Sequence, residues 1–155
     1  MGASRPASVV LRPIGVVRSS YRTRAEAPRQ GWFRPEVLSR VEVFPPYAKA
    51  LKDLEAFSHL IIIYYCHLAR PWQPLITTPW DTRLHGLFAT RSPDRPNPLG
   101  LCVVELVELQ GNVLVVRGLD ALDGSPVLDI KPYLPTVDAF PEASMGWLEG
   151  RMPLR

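Results

Sequence analysis

The sequence has few residues that bind metals or form disulfides. It contains two cysteines, Cys66 and Cys102, and three histidines. Both cysteines lie inside apolar runs, and the histidines are scattered without the spacing of a metal site. We therefore predict buried, reduced thiols, no bound metal and a cytoplasmic protein.

Long apolar runs and phosphate-binding glycine motifs are also missing. No apolar run approaches about twenty residues, the length that spans a bilayer, and the N-terminus lacks the apolar core of a secretion signal. We therefore expect neither a membrane protein nor a secreted one. Neither G-x-x-x-x-G-K-[ST] nor G-x-G-x-x-G occurs. No Ser-His-Asp arrangement and no cysteine in an electropositive setting is recognisable, which argues against a nucleophilic enzyme.

Positive charge is present almost entirely as arginine. The chain has 155 residues, a length typical of one domain, with 15 Arg, 3 Lys and a net charge of +3. Residues 1–40 hold eight of the arginines against two acidic residues, Glu26 and Glu36. This local excess fits contact with the phosphates of a polyanion, although it also fits a solvated arm of an Arg-rich protein.

The most distinctive stretch is residues 91–100, R-S-P-D-R-P-N-P-L-G. Its three prolines fix φ and remove backbone donors, so it can be neither a helix nor a central strand. Apolar runs flank it, which predicts a stiff loop between two buried strands, where functional sites are often found. Arg91, Arg95 and Asn97 would present donors there to an anion or a base edge. The alternative is a tight surface turn with solvated charges.

The apolar pattern predicts an all-β fold. Strands are predicted at residues 9–18, 38–44, 60–66, 101–109, 113–119 and 127–131. Pro13 and Gly15 would bulge the first strand or keep it at an edge, and the run at 60–66 would be buried on both faces. Gln110-Gly111-Asn112 predicts a hairpin turn.

One helix is predicted after Pro45-Pro46, with Tyr47, Leu51, Leu54 and Phe57 as its buried stripe. Together with the strands, this predicts a mostly antiparallel β-barrel with one packed helix and long irregular loops.

Further polar and aromatic residues follow predicted strands. His67 ends the strand at 60–66, where it is either a structural residue or a ligand contact. Asp129, Lys131 and Tyr133 alternate onto one side of the last strand; taken alone, they are an ion pair beside a tyrosine. The irregular Pro- and Trp-rich residues 70–83 either stack on bases or cover the barrel mouth or a partner interface.

Several motifs resemble those of the TsaA/TrmO family. They are I-G-V-V-R-S at 14–19, P-R-Q at 28–30, L-E-A-F-S-H-L at 54–60, F-A-T-R-S at 88–92, R-P-N-P-L-G at 95–100 and D-G-S-P-V-L-D-I-K-P-Y at 123–133. The resemblance implies a β-barrel methyltransferase that uses S-adenosylmethionine without a Rossmann domain. Its substrate would be N6 of threonylcarbamoyladenosine at position 37 of tRNA, beside the anticodon. It also implies a homodimer, and we expect residues 1–155 to be a single domain without the additional C-terminal domain of many bacterial members.

The resemblance implies the site residues as well. The cofactor contacts would be Pro28, Arg29, Gln30, His67, Leu68, Arg91, Leu101, Val127, Leu128, Asp129 and Ile130. Asp129 would orient or deprotonate N6, with Lys131 and Tyr133 setting its charge and position. Contacts to the RNA would come from Arg22, Arg24, Arg95 and Asn97.

Two other functions remain open from the sequence. One is a module that binds S-adenosylmethionine or RNA without turnover. The other is a methyltransferase of the same fold that acts on a small metabolite, whose affinity would lack the strong salt dependence of phosphate contacts.

Overall fold

Six β-strands form a closed antiparallel barrel. The structure is a computed structural model that describes residues 4–5 and 7–153. The barrel strands are β1 (Gly15–Arg18), β2 (Leu38–Val43), β3 (His59–Tyr65), β6 (Leu99–Gln110), β7 (Val113–Arg117) and β8 (Pro126–Pro132), and a separate hairpin consists of β4 (Leu75–Thr78) and β5 (Asp81–Gly86). Around the barrel the order is β1-β2-β7-β6-β3-β8, and β8 pairs with β1. The predicted all-β antiparallel barrel is confirmed.

The barrel interior is the core of the protein. Alternate residues of each strand point inward and form one cluster, in which Val17, Val41, Leu60, Ile62, Val104, Leu114, Val116 and Val127 are completely buried. In β3 the intervening residues Ile61 and Ile63 are only half-buried, because they lie on the outer face. The prediction that this run is buried on both faces was therefore wrong for its outer face.

The hairpin turn between β6 and β7 follows the prediction. Gln110 pairs with Val113, and Gly111 between them has a positive φ of 62°, a conformation that glycine adopts without strain.

The first strand is shorter than predicted. It begins at Gly15, whereas Val9, Val10 and Leu11 are exposed and precede it. Pro13 lacks the N–H that a paired strand would need. At Gly15 the partner strand comes so close that a Cβ would overlap the carbonyl of Glu42.

The predicted helix is replaced by two short 3₁₀ helices, Pro45–Leu51 and Leu54–Ala56. Asp53 separates them with a φ of 71°, which ends helical continuity. Of the predicted stripe, Leu51 is buried and Leu54 packs against the core, but Tyr47 and Phe57 are exposed.

Other helical segments are brief. The described residues contain one α-helix, Pro135–Asp138, and further 3₁₀ helices at Gly31–Phe33, Leu87–Ala89 and Gly146–Leu148. None of the helices in the described part of the chain is long and apolar enough to span a membrane. Cys66 and Cys102 are free thiols, half-buried and buried respectively.

Candidate functional site

A cavity of about 900 Å³ opens at one end of the barrel. Its walls come from segments that are distant in sequence: the loop before β2, the C-terminal end of β3, the loop at 90–95, the start of β6, residues 120–122 after β7, the β4–β5 hairpin and residues 147–148. Because the antiparallel strands β3 and β6 run in opposite directions, the end of one and the start of the other meet at the same rim.

The loop at 91–100 is stiffened by an arginine that bonds to its own backbone. Nη1 of Arg95 donates to the carbonyl oxygens of Thr90 (2.9 Å) and Ser92 (3.1 Å), and the guanidinium lies 5.8 Å from the ring centre of Phe88. These contacts replace backbone donors that the prolines remove. Arg95, predicted to contact RNA, is therefore engaged within the loop.

A second arginine joins this loop to the N-terminal half of the chain. Nη1 and Nη2 of Arg24 donate to the two carboxylate oxygens of Asp94 at 2.7 and 3.2 Å, and the N–H of Arg70 donates to the same carboxylate at 2.8 Å. Burial alone would raise the pKa of Asp94, but the hydrogen bonds from Arg24 and Arg70 outweigh it and hold that pKa below its ordinary value. Arg24, also predicted to contact RNA, is thus part of the rim of the cavity.

The two remaining predicted RNA contacts have exposed side chains. Arg22 is exposed beside Glu26, which accepts its backbone N–H at 3.0 Å. Asn97 is exposed in the proline-rich loop, and its carbonyl accepts the N–H of Leu99 at 2.8 Å. Their role in RNA binding stays a prediction.

Six of the predicted cofactor residues line the cavity. They are Pro28, Arg29, Gln30, Leu68, Arg91 and Leu101. Arg91 and Gln30 contact each other across the rim, where Nη1 of Arg91 donates to Oε1 of Gln30 at 3.1 Å. Two loops that are sixty-one residues apart are thereby brought together at one site.

The other five predicted cofactor residues do not belong to the described cavity wall. Among the described lining residues there is no His67, Val127, Leu128, Asp129 or Ile130. His67 is exposed, with Nδ1 3.4 Å from Oγ of Ser125, which itself lines the cavity.

The predicted catalytic residues lie on the outer face of β8. Asp129 and Lys131 pair with Ile63 and Ile61, both on the outer side of β3, and they form an ion pair of 2.9 Å. The register shifts beside Asp129, where Leu128 is an additional residue relative to β3.

Tyr133 follows the end of β8. Its N–H donates to the carbonyl of His59 at 3.0 Å, and the two rings are 6.4 Å apart.

The outer face connects Asp129 to the rim. Ile63 pairs with Leu101 on one side and with Asp129 on the other. Leu101 lines the cavity, so Asp129 lies two strand spacings away, about 10 Å.

The stretch at 70–83, predicted to be irregular, contains all of β4 and the first three residues of β5. The aromatic ring of Trp147 stacks on His85 in this hairpin, 3.6 Å between centres, and its Nε1 donates to the carbonyl of Ala89 at 2.9 Å. Trp80 lines the cavity, and its ring meets the edge of Phe33. The hairpin covers one side of the barrel mouth, which is one of the three roles predicted for this stretch.

Sequence reasoning missed one acidic residue of the cavity. Asp120 lines its inner wall and accepts a hydrogen bond of 2.6 Å from the hydroxyl of Tyr64. Burial raises the pKa of Asp120, although the bond from Tyr64 opposes that shift. Its position in the sequence could have indicated this role. Asp120 comes just after the apolar run at 113–119, and a carboxylate at the end of a barrel strand lies near the barrel mouth.

Comparison with known proteins identifies the family. A family model described as the tRNA-methyltransferase O N-terminal domain matches residues 16–139. The chain belongs to the TsaA/TrmO family. A probable S-adenosyl-L-methionine-binding protein of Archaeoglobus fulgidus is 50% identical over 145 residues, which cover 94% of this chain and 39% of that protein.

Two further TrmO-family relatives are a named enzyme and a protein with a solved structure. The tRNA (adenine(37)-N6)-methyltransferase of Escherichia coli is 39% identical over 153 residues, covering 92% of this chain and 65% of that enzyme. The crystal structure of TrmO from Pseudomonas aeruginosa superposes with a TM-score of 0.79 at 35% identity, over 96% of this chain and 65% of that one. The chain thus spans less than two thirds of the length of these three relatives.

Proposed function

We propose that this chain is an S-adenosylmethionine-dependent methyltransferase that acts on N6 of threonylcarbamoyladenosine at position 37 of tRNA. Its family membership, together with a cavity that gathers six predicted cofactor residues, carries the proposal. The reduced thiols and the tRNA substrate fit a cytoplasmic protein.

The cavity fits the cofactor in size and in chemistry. A volume of about 900 Å³ is within the range of small-molecule sites. Leu68 and Leu101 supply apolar wall, and the guanidinium of Arg91 can pair with the carboxylate of the methionine part. When bound, S-adenosylmethionine supplies an electrophilic methyl group.

The chain's own residues would position the reacting nitrogen. Orientation alone can lower such a barrier by roughly 7–11 kcal/mol. As N6 forms its bond to the methyl group, the carbon–sulfur bond breaks with its electron pair on sulfur. Asp129 would accept the proton that N6 loses, Lys131, 2.9 Å away, would orient this carboxylate through their ion pair, and Tyr133, just after β8, would complete the predicted catalytic set.

The RNA would approach over the exposed polar side chains of two loops. Arg22 and Asn97 contact the anticodon loop, whereas Arg24 and Arg95 act indirectly by holding the loops in place. The modified base lies in a single-stranded loop and has no base pair to break, so bringing it to the site costs mainly unstacking. An arginine that pairs with the threonyl carboxylate would discriminate against unmodified adenosine. That base has no carboxylate, so the charge of the arginine would stay unpaired.

A homodimer would cover the apolar outer face. Tyr65, Leu99 and Leu101 are exposed on neighbouring strands β3 and β6, beside Asp129. A second copy packed there would bury this face and bring the predicted catalytic residues into an enclosed site.

Transfer of labelled methyl from S-adenosylmethionine to tRNA tests the proposal. We expect label on tRNA that carries threonylcarbamoyladenosine, none on tRNA that lacks it, and loss of activity in Asp129→Asn. Asp53→Asn is the matched control, because Asp53 is exposed and asparagine tolerates its positive φ.

The name of the Archaeoglobus relative favours a second candidate, a module that binds S-adenosylmethionine without turnover. Cofactor binding by calorimetry without label on either tRNA would refute the methyltransferase and support this module. Label on a small acceptor in place of tRNA would point to a small-molecule methyltransferase.

A further inference from the structure

The inner wall of the cavity holds a carboxylate without a basic partner. Asp120 reaches the wall just after β7 and is fixed there by the 2.6 Å hydrogen bond from Tyr64. The ring of Tyr64 is in turn held against Gly100, where a Cβ would overlap it. Asp120 therefore has a defined position, and part of its surface is open to the cavity.

Two other carboxylates in or near the cavity wall are already paired with basic residues. Asp94, also in the wall, is held by Arg24 and Arg70, and Asp129 on the outer face is paired with Lys131. Within the described residues, no nitrogen of Lys, Arg or His lies within 4.0 Å of the Asp120 carboxylate.

The groups that face Asp120 do not balance its charge. Burial raises the pKa of the Tyr64 phenol and of the Cys102 thiol, and it raises that of the Cys66 thiol to about 11, so all three are neutral at neutral pH. The positive charge of Arg91 at the rim lowers the pKa of Asp120, but Arg91 forms no ion pair with it within 4.0 Å. A buried carboxylate in such surroundings is stabilised by a ligand that brings a positive charge.

We propose that Asp120 binds the cationic part of the cofactor and so makes the cavity selective for a positively charged ligand. The inference rests on the proposed function in one respect, the identity of the cofactor. S-adenosylmethionine carries two positive groups, the sulfonium and the α-ammonium. Its product, S-adenosylhomocysteine, retains the ammonium and lacks the sulfonium charge, so the pair of ligands separates the two contacts.

A dependence on pH follows from this contact. Burial favours the protonated carboxyl group of Asp120, whereas a bound cation favours the carboxylate, so cation binding lowers the pKa of this group. Binding of S-adenosylmethionine should therefore release a proton and strengthen as pH rises through the titration of Asp120.

Calorimetric titration of the full chain with the two ligands tests the inference without tRNA. We expect Asp120→Asn, which keeps an acceptor for Tyr64, to bind S-adenosylmethionine about 30-fold more weakly than the wild type. Asp53→Asn should bind as the wild type does. A loss confined to S-adenosylmethionine assigns the contact to the sulfonium, and an equal loss for both ligands assigns it to the α-ammonium.

Undiminished affinity in Asp120→Asn would overturn the inference while leaving methyl transfer to tRNA intact. Proton release by the wild type gives a second measurement that does not depend on a variant. Titrations in buffers of different ionisation enthalpy, over the pH range in which Asp120 titrates in the ligand-free protein, should show it for the wild type and not for Asp120→Asn. Wild-type binding with no proton release over this range would also contradict the inference. If the wild type binds S-adenosylmethionine but methylates no tRNA, only the proposed function fails.

Discussion

Arg24 donates to both carboxylate oxygens of Asp94, across seventy residues of sequence, and thereby joins the loop before β2 to the proline-rich loop before β6. Both residues line the cavity. The arrangement of the two loops at the rim therefore depends on a bidentate contact between residues that are far apart in sequence. Arg70 adds a third bond to the same carboxylate.

Replacing Asp94 should loosen this rim. We expect Asp94→Asn to lower the free energy of unfolding by roughly 2 kcal/mol, since it removes hydrogen bonds to a charged, mostly buried group. Denaturant unfolding measures the effect. Glu36→Gln is the control, because its ion pair with Arg34 is exposed on both sides and should matter little. Equal effects of the two substitutions would contradict the structural role of Asp94.

The same carboxylate should contribute to acid sensitivity. Its pKa is lowered by folding, so its stabilisation is present above the ordinary aspartate value near 3.9 and is lost as pH falls through the lowered pKa. The stability difference between wild type and Asp94→Asn should accordingly shrink in that acid range. A difference that stays constant with pH would show that the carboxylate charge is not what stabilises the loop.

A methyl group at Gly100 should disturb the inner wall. The Cβ of Gly100→Ala would overlap the ring of Tyr64, and we expect a loss of about 1–3 kcal/mol in stability. The ring would move only by leaving its hydrogen bond to Asp120. Gly86→Ala is the matched control, since a Cβ there meets nothing within 4 Å and its φ is negative. Comparable unfolding midpoints for the two variants would contradict the close packing at Gly100.

The barrel was predictable because its signals are local. Alternating or β-branched runs set the strands, and Gln110-Gly111-Asn112 set one hairpin. The predicted helix was wrong because of the backbone conformation of one residue, which the spacing of apolar residues does not reveal. The apolar spacing of Tyr47, Leu51 and Leu54 looks helical, yet Asp53 adopts a positive φ and divides the segment.

The cavity was predictable only in part, because its residues meet through tertiary contacts. The proline-rich loop could be singled out by composition, but its arginines could not be divided into exposed and internally bonded ones. Arg95 turns inward to backbone carbonyls of its own loop, and Arg24, outside this loop, bonds to the carboxylate of Asp94 seventy residues away. Asp120 was overlooked because its meaning depends on Tyr64, fifty-six residues earlier.

Removing the charge of Asp120 should stabilise the protein at higher pH. Folding raises the pKa of this carboxyl group, so the folded state binds the proton more tightly and wild-type stability falls as pH rises from about 3.9 through the raised pKa. Asp120→Asn lacks this titration and retains an acceptor for Tyr64. Its stability relative to wild type should therefore increase over that interval in thermal unfolding. A difference independent of pH would mean that burial does not penalise the charged carboxylate.

Truncating Trp147 should free the β4–β5 hairpin without unfolding the barrel. Trp147→Ala removes the stack on His85 and the hydrogen bond to Ala89 that hold the hairpin over the cavity. Loss of such a stack, worth roughly 1 kcal/mol, should reduce the exchange protection of the hairpin amides about fivefold. Trp147→Phe keeps an aromatic ring on His85 and should lose less protection. Amides of β3 and β7 serve as the internal reference, because they belong to the barrel core and should exchange as in the wild type. If the hairpin and the barrel lost protection together, the hairpin would not be an independently opening cover, and the role of Trp147 would be to stabilise the whole domain.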